Sequence, residues 1–192
     1  MQIDIPDTEP SAQAALSPEL IALLNDRYAK YNTPNFIPPD PISVPHQYAK
    51  KVDIEIAGLL TATIAWGRRD LVLRSANRLL TLMDHAPHDF VLHATEKELD
   101  RMGDFVHRTF NPIDARYFIR ALGHINREHG GLEAVFSAGL QYETSDLYDA
   151  LAHFRQVFFS LPDAPKRTGK HVSDVTRNAS CKRLVMFLRW MV

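Results

Sequence analysis

Lys182 is the residue of this 192-residue chain with the most chemistry open to it. It follows the turn-like string Asn178-Ala179-Ser180-Cys181 and opens a stretch in which Leu184, Phe187, Leu188 and Met191 recur at helical spacing, predicting a last helix over about 180–192. A lysine in a first helical turn stands at the positive end of the dipole. With Arg183 beside it, that position drives the ammonium toward its free amine. A neutral amine attacks an electrophilic sugar carbon and forms a Schiff base. Ser180, Arg183 and the helix-terminal amides suit a phosphate. The same spacing also describes a plain surface lysine, so the chemistry depends on what surrounds it.

A second group is Trp66-Gly67-Arg68-Arg69, a large aromatic and two guanidinium forks around a flexible joint. Trp66, Arg68 and Arg69 have the composition of a wedge that unstacks a base and holds the phosphates beside it. The alternative is that Trp66 covers the core while the arginines are solvated. A third group is the basic loop at 166–171, where Lys170 and His171 could hold phosphate. His46, in the other polar loop near Asp40, is the only cue for a small-molecule site. Three of the nine histidines, His85, His88 and His93, come nearest to a cluster, but spacings of three and five match no zinc pattern and Pro87 is expected to break any shared helix face. No metal or other cofactor is expected.

Charge distribution is more telling than the net charge of −1. Residues 1–26 carry five acids and no Lys or Arg. Residues 161–192 carry seven bases against Asp163 and Asp174, a basic end that could face phosphates. The single cysteine, Cys181, cannot form an internal disulfide and excludes a four-cysteine metal or iron–sulfur site. The longest largely apolar stretch, Ile56 to Trp66, is about half of the roughly 20 residues that span a bilayer. The N-terminus lacks the bases of a signal peptide. A cytoplasmic protein with no membrane partner is expected.

The elements that must position these groups read as helices. Residues 1–16 lack periodicity and are expected to form a flexible arm, with 17–192 as one helical domain ending in a basic loop and hairpin-like helix at about 161–192. Ser17-Pro18-Glu19 predicts a helix over about 18–31, and the proline-dense stretch from Thr33 to Pro45 excludes one. A nearly all-apolar helix from about Gln47 to Trp66 should be central and buried. Further helices are predicted over about 70–83, from Thr95 with capping-box spacing, from Asn111-Pro112 to Gly130-Gly131, near 132–137, and over 146–160. Leu161 to Asn178 reads as a polar loop. No segment alternates as a strand, so the fold class is all-α, an irregular orthogonal bundle.

Several stretches resemble an uncharacterised bacterial family of unknown function over about residues 20–192. They are Phe36 through Tyr48, Arg108 through Asp114 with Tyr117 through Leu122, Lys170 through Asp174, and Cys181 through Met191. More distantly, the C-terminal string is similar to the hairpin of the helix-hairpin-helix DNA glycosylases, including endonuclease III, with the pattern Gly-x-Gly-x-Lys-Thr-Ala before an apolar helix. Asn178 falls at the first glycine, Ser180 at the second, Lys182 at the catalytic lysine, Arg183 at threonine and Leu184 at alanine. Both glycines, which permit a tight hairpin, are therefore replaced. Leu59 to Leu80 also resembles the helix–loop–helix in which those enzymes place residues that enter DNA, with Trp66–Arg69 in the loop. In both families an Asp-x-His segment follows the hairpin helix, and this chain stops at Val192 without it.

The resemblance implies the glycosylase fold without its C-terminal helices. It also implies a protein that binds damaged or distorted duplex DNA and excises a base in full-length form, with little turnover expected from a truncated chain. In that reading Lys182 is the nucleophile, while Trp66, Arg68, Arg69, Lys170, His171, Ser180 and Arg183 contact DNA. A non-catalytic nucleic-acid-binding module and a small-molecule enzyme remain as alternatives.

Overall fold

A computed structural model describes residues 16–140 and 146–192. Almost all of the arm expected over 1–16 lies outside the described residues. The chain divides after Phe36 into two compact units. In the first, helix α1 (Pro18–Tyr31) starts where expected: the Ser17 side chain accepts from the Leu20 amide, Pro18 takes the first turn, and Glu19 meets the positive end of the dipole. None of its residues is buried.

The second unit, Ile37–Val192, holds every buried apolar side chain among the described residues. Its prolines set two short 3-10 turns, Pro41–Ser43 and Pro45–Gln47, ahead of α2 (Lys51–Ile64). All of α2 from Glu55 to Ile64 is buried, as its continuous apolar run requires. Helices α3 (Arg69–Leu82), α4 (Pro87–His93), α6 (Pro112–Glu128), α7 (Leu132–Ala138), α8 (Leu147–Phe158) and α9 (Lys182–Trp190) complete the bundle, with the short α5 (Glu96–Leu99) between α4 and α6. Helices α3, α4, α7 and α9 all touch α2.

Three of these helices begin with reciprocal capping boxes, at Thr95/Glu98, Asn111/Asp114 and Asp146/Asp149. Each capping side chain stabilises its helix by about 1 kcal/mol. The core is rich in edge-to-face rings: Phe110 packs on Phe118 at 5.3 Å between centroids, and Phe118 on Phe158 at 4.7 Å. Phe136 stacks on Phe154 at 4.5 Å. The protein is all-α. Among the described residues there is no strand, only an isolated antiparallel bridge between His107 and Phe110. No helix of the described residues is long and apolar enough to cross a membrane.

Two expectations need correction. Pro87 does keep His85, which lies in a turn at φ 52°, off the helix that carries His88 and His93, but it does so by opening α4, where a first-turn proline loses no hydrogen bond, and not as a breaker within a helix. His88 and His93 both lie on that helix, and the His93 ring meets the Asp89 carboxylate at 3.1 Å. Among the described residues no three His, Cys, Asp or Glu side chains converge as a metal site. The segment 161–178 is also more than a polar loop. It contains 3-10 turns at Lys166–Lys170 and Val175–Arg177, and Thr168, His171 and Val172 are buried.

Candidate nucleic-acid interface

The site is built where three connections meet beside the core. The first follows α2. Ala65 has φ −75° and ψ 64°, and the Trp66 amide donates to the Ile64 carbonyl at 2.8 Å, the geometry of an inverse γ-turn. That turn ends the helix and lays the half-buried Trp66 ring against the core cluster. Gly67 follows at φ 97°, a conformation open to glycine.

The second connection is the 3-10 turn at Lys166–Lys170, whose inward residues close on Asp114 of α6. Asp114 is fully buried. Its carboxylate accepts from the Thr168 hydroxyl at 2.8 Å and from the Asn111 amide at 3.0 Å, pairs with the Arg167 guanidinium, and lies 3.2 Å from His171 Nε2. Arg167 also donates to the Asn111 side chain and, through Nη2, to the Thr109 carbonyl at 3.1 Å. From the other side, Arg155 of α8 donates to the Gly169 and Val172 carbonyls and pairs with Asp174 at 3.3 Å. Lys166 and Lys170, pointing the other way, are exposed.

The third connection is the hairpin before α9. Asn178 at φ 59° and Cys181 at φ 46° both take the left-handed conformation. Asn178 stands at the first replaced glycine, and asparagine is among the non-glycine residues that adopt this region most readily. At the second, Ser180 is exposed and the left-handed residue is its neighbour Cys181, which is buried with its thiol on the Ser173 carbonyl at 3.6 Å. The chain therefore passes twice through the left-handed region here without a glycine. Burial raises the Cys181 thiol above its ordinary pKa, so the thiol is the resting form.

These connections bring three of the eight sequence-predicted residues into direct contact. The Arg183 guanidinium lies over the Trp66 ring at 4.8 Å, and the His171 ring stacks on it at 6.0 Å and 20°. His107 meets the same indole edge-on at 5.3 Å. Trp66 is thus a platform already occupied by a cation and two imidazoles. Burial lowers the Arg183 guanidinium below its usual value, yet an arginine remains charged at any ordinary pH. Its buried Nε has no hydrogen-bond partner among the described residues. Burial likewise lowers His171, against the pull of Asp114, and lowers His107, whose Nδ1 is 2.8 Å from the Ser75 hydroxyl. Among the described residues neither Nε2 atom, both buried, makes a well-aligned hydrogen bond, and the 3.2 Å approach of His171 to Asp114 is an electrostatic contact.

The other five predicted residues surround this group without entering it. Lys182, the first residue of α9, and Lys170 and Ser180 are exposed. Arg68 forks onto Asp70 at 3.1 and 2.9 Å, and Arg69 faces Asp40 at 3.5 Å. Asp40 is therefore engaged twice, since it also caps the turn at Ile42, while His46 is exposed. Sequence reasoning missed Asp114 and His107 as parts of the site, and had Arg167 and Thr168 only as members of the 166–171 loop and not as partners of Asp114. Asp114 carries the local signature of a capping acid, and its partners lie 53 and 54 residues away.

No curated protein and no solved structure matches this chain. Residues 40–192, which include all three connections and the whole of the Trp66 cluster, match the family described as "Protein of unknown function (DUF2400)", and the chain belongs to that family.

Proposed function

We propose that this protein binds distorted duplex DNA on the face around Trp66, in the manner of the helix-hairpin-helix glycosylases whose hairpin pattern its C-terminal sequence resembles. One observation carries the proposal: Arg183 stacked on Trp66 joins the 66–69 turn to the start of α9, where Lys182 is exposed. His171 brings the 166–171 turn to the same ring. Lys166, Lys170 and Lys182 then present positive charge toward a phosphate backbone. In the catalytic form of this reading, the Lys182 amine nitrogen attacks C1′ of the sugar, the glycosidic C–N bond breaks, and the base leaves with the bonding pair and takes up the proton that the nitrogen gives up. At an abasic site the amine condenses with the C1′ aldehyde and releases water.

A second reading, binding without covalent chemistry, draws on a different observation. Lys182 pairs with no carboxylate among the described residues, whereas general acid–base chemistry at a lysine nucleophile calls for a group in hydrogen-bond reach.

Borohydride trapping on a duplex with an abasic site separates the two. An adduct formed by this chain and absent from Lys182→Ala supports the glycosylase or lyase reading. Salt-sensitive binding with no adduct supports the binding module. Absence of both adduct and binding would sink the nucleic-acid proposal altogether.

A further inference from the structure

Beside Trp66 a second tight turn carries an arginine with no side-chain hydrogen bond or ion pair among the described residues. The amides of His107 and Phe110 each donate to the other's carbonyl at 2.9 Å, and both side chains are buried. Arg108 and Thr109 form the exposed tip. Arg108 has φ 53°, a left-handed conformation that a residue other than glycine adopts against roughly 1–2 kcal/mol. Such conformations persist where the surroundings over-determine them, and they gather at functional sites. Here the His107 ring is fixed by Ser75 and Trp66, and Arg167 holds the Thr109 carbonyl at 3.1 Å.

The result is an arginine aimed across the site. Its guanidinium lies over Gly67, where a Cβ would fall within 2.7 Å of Arg108 Cζ. The neighbouring Arg68, Arg69 and Arg167 each face a carboxylate. Arg108 makes no side-chain hydrogen bond or ion pair among the described residues. An exposed arginine whose guanidinium lies over Gly67, next to Trp66 in the chain, and which has no counter-charge among the described residues, is complementary to an external oxyanion. A phosphate takes two of its parallel N–H donors.

We infer that Arg108 is a phosphate-binding arm of this face, held across Gly67 by its strained turn so that it neutralises one phosphate of the DNA backbone. The inference rests on the DNA reading and adds to it a contact outside the hairpin. The test is the salt dependence of binding of the full 192-residue chain to a labelled duplex carrying an abasic-site analogue. Arg108→Gly is the main variant because glycine takes positive φ without strain, so its thermal unfolding should match or exceed that of the parent. The slope of log K against log salt should shrink in magnitude by about 0.9, the contribution of one phosphate, with several-fold weaker binding at low salt. Arg108→Lys should keep the parent slope. Arg120→Ala, which removes an arginine paired with Glu96 and Asp163, should also keep it.

A parent-like slope for Arg108→Gly, or an equal reduction in Arg120→Ala, overturns the arm while leaving the DNA reading in place. No binding by the parent overturns both.

Discussion

His171 packs its ring against Trp66 and against Phe110, at 6.0 and 5.0 Å between centroids, and keeps Nε2 within 3.2 Å of Asp114. Two opposed influences act on its proton. Burial disfavours the imidazolium and the Asp114 carboxylate favours it, while Lys170 and Arg167 add repulsion, and burial is the largest. The folded-state pKa is therefore below the ordinary 6.5. Above that value both folded and unfolded chains hold a neutral ring and the packing is fully stabilising. As pH falls through 6.5 the unfolded chain binds the proton first, so stability declines until the folded ring is protonated as well. Replacing His171 by Phe keeps the ring stack and removes this titration. The urea midpoint of the variant should fall less than that of the parent between pH 7.5 and 5.5. His107, also lowered by burial, supplies the slope that remains. An unchanged pH dependence would show that His171 does not titrate in this range.

At the scale of elements, the helices legible in the sequence were those whose apolar spacing and caps agree, such as Asn111-Pro112 through Glu128. Helix α4 escaped because a proline reads as a breaker unless its place in the first turn is known, and seven residues are too few for a clear period. Its seat on α6 was not legible either, since it depends on a single missing side chain. A Cβ on Gly123 would come within 3.3 Å of the Val91 carbonyl carbon, with the carbonyl oxygen nearer still. Arg127, one turn on, donates to the Leu92 carbonyl at 3.1 Å and fixes the same contact. Gly123→Ala sets two effects against each other: alanine favours the helix by about 1 kcal/mol, whereas overpacking against rigid backbone costs about 1–3 kcal/mol. The clash is with a main-chain group that cannot swing aside, so we expect net destabilisation of about 1–2 kcal/mol. It should appear as a lower urea midpoint at unchanged slope. Gly103→Ala, with no atom within 4 Å of its Cβ position, should leave the midpoint near that of the parent.

Over the whole molecule, composition was enough for an all-α protein with a basic end, while the site needed distances that no local pattern carries. The seven bases of residues 161–192 looked alike in the sequence. Folding separates them: Arg167 goes to Asp114 and Arg177 to Asp174, whereas Lys166, Lys170, Lys182 and Arg189 stay exposed and Arg183 turns onto Trp66. The division of the chain was also illegible, because the Ser17-Pro18-Glu19 start makes α1 as good a helix locally as any that follows. What distinguishes α1 is burial. Leu20, Ile21, Leu23 and Leu24 are each 41–50% exposed, while the core runs from Val44 to Phe187. A helix that removes so little apolar surface from water adds little to stability, at about 25 cal/mol per Å² buried. Since every buried apolar side chain among the described residues lies within 37–192, a chain of those residues should fold on its own and unfold in one cooperative urea transition. It should also bind abasic DNA with the same salt slope, because Trp66, Arg108, Lys182 and Arg183 all belong to that unit. Loss of cooperative unfolding in the shortened chain would show that residues before Ile37 complete its core. Intact folding with a changed salt slope would place a DNA contact among them.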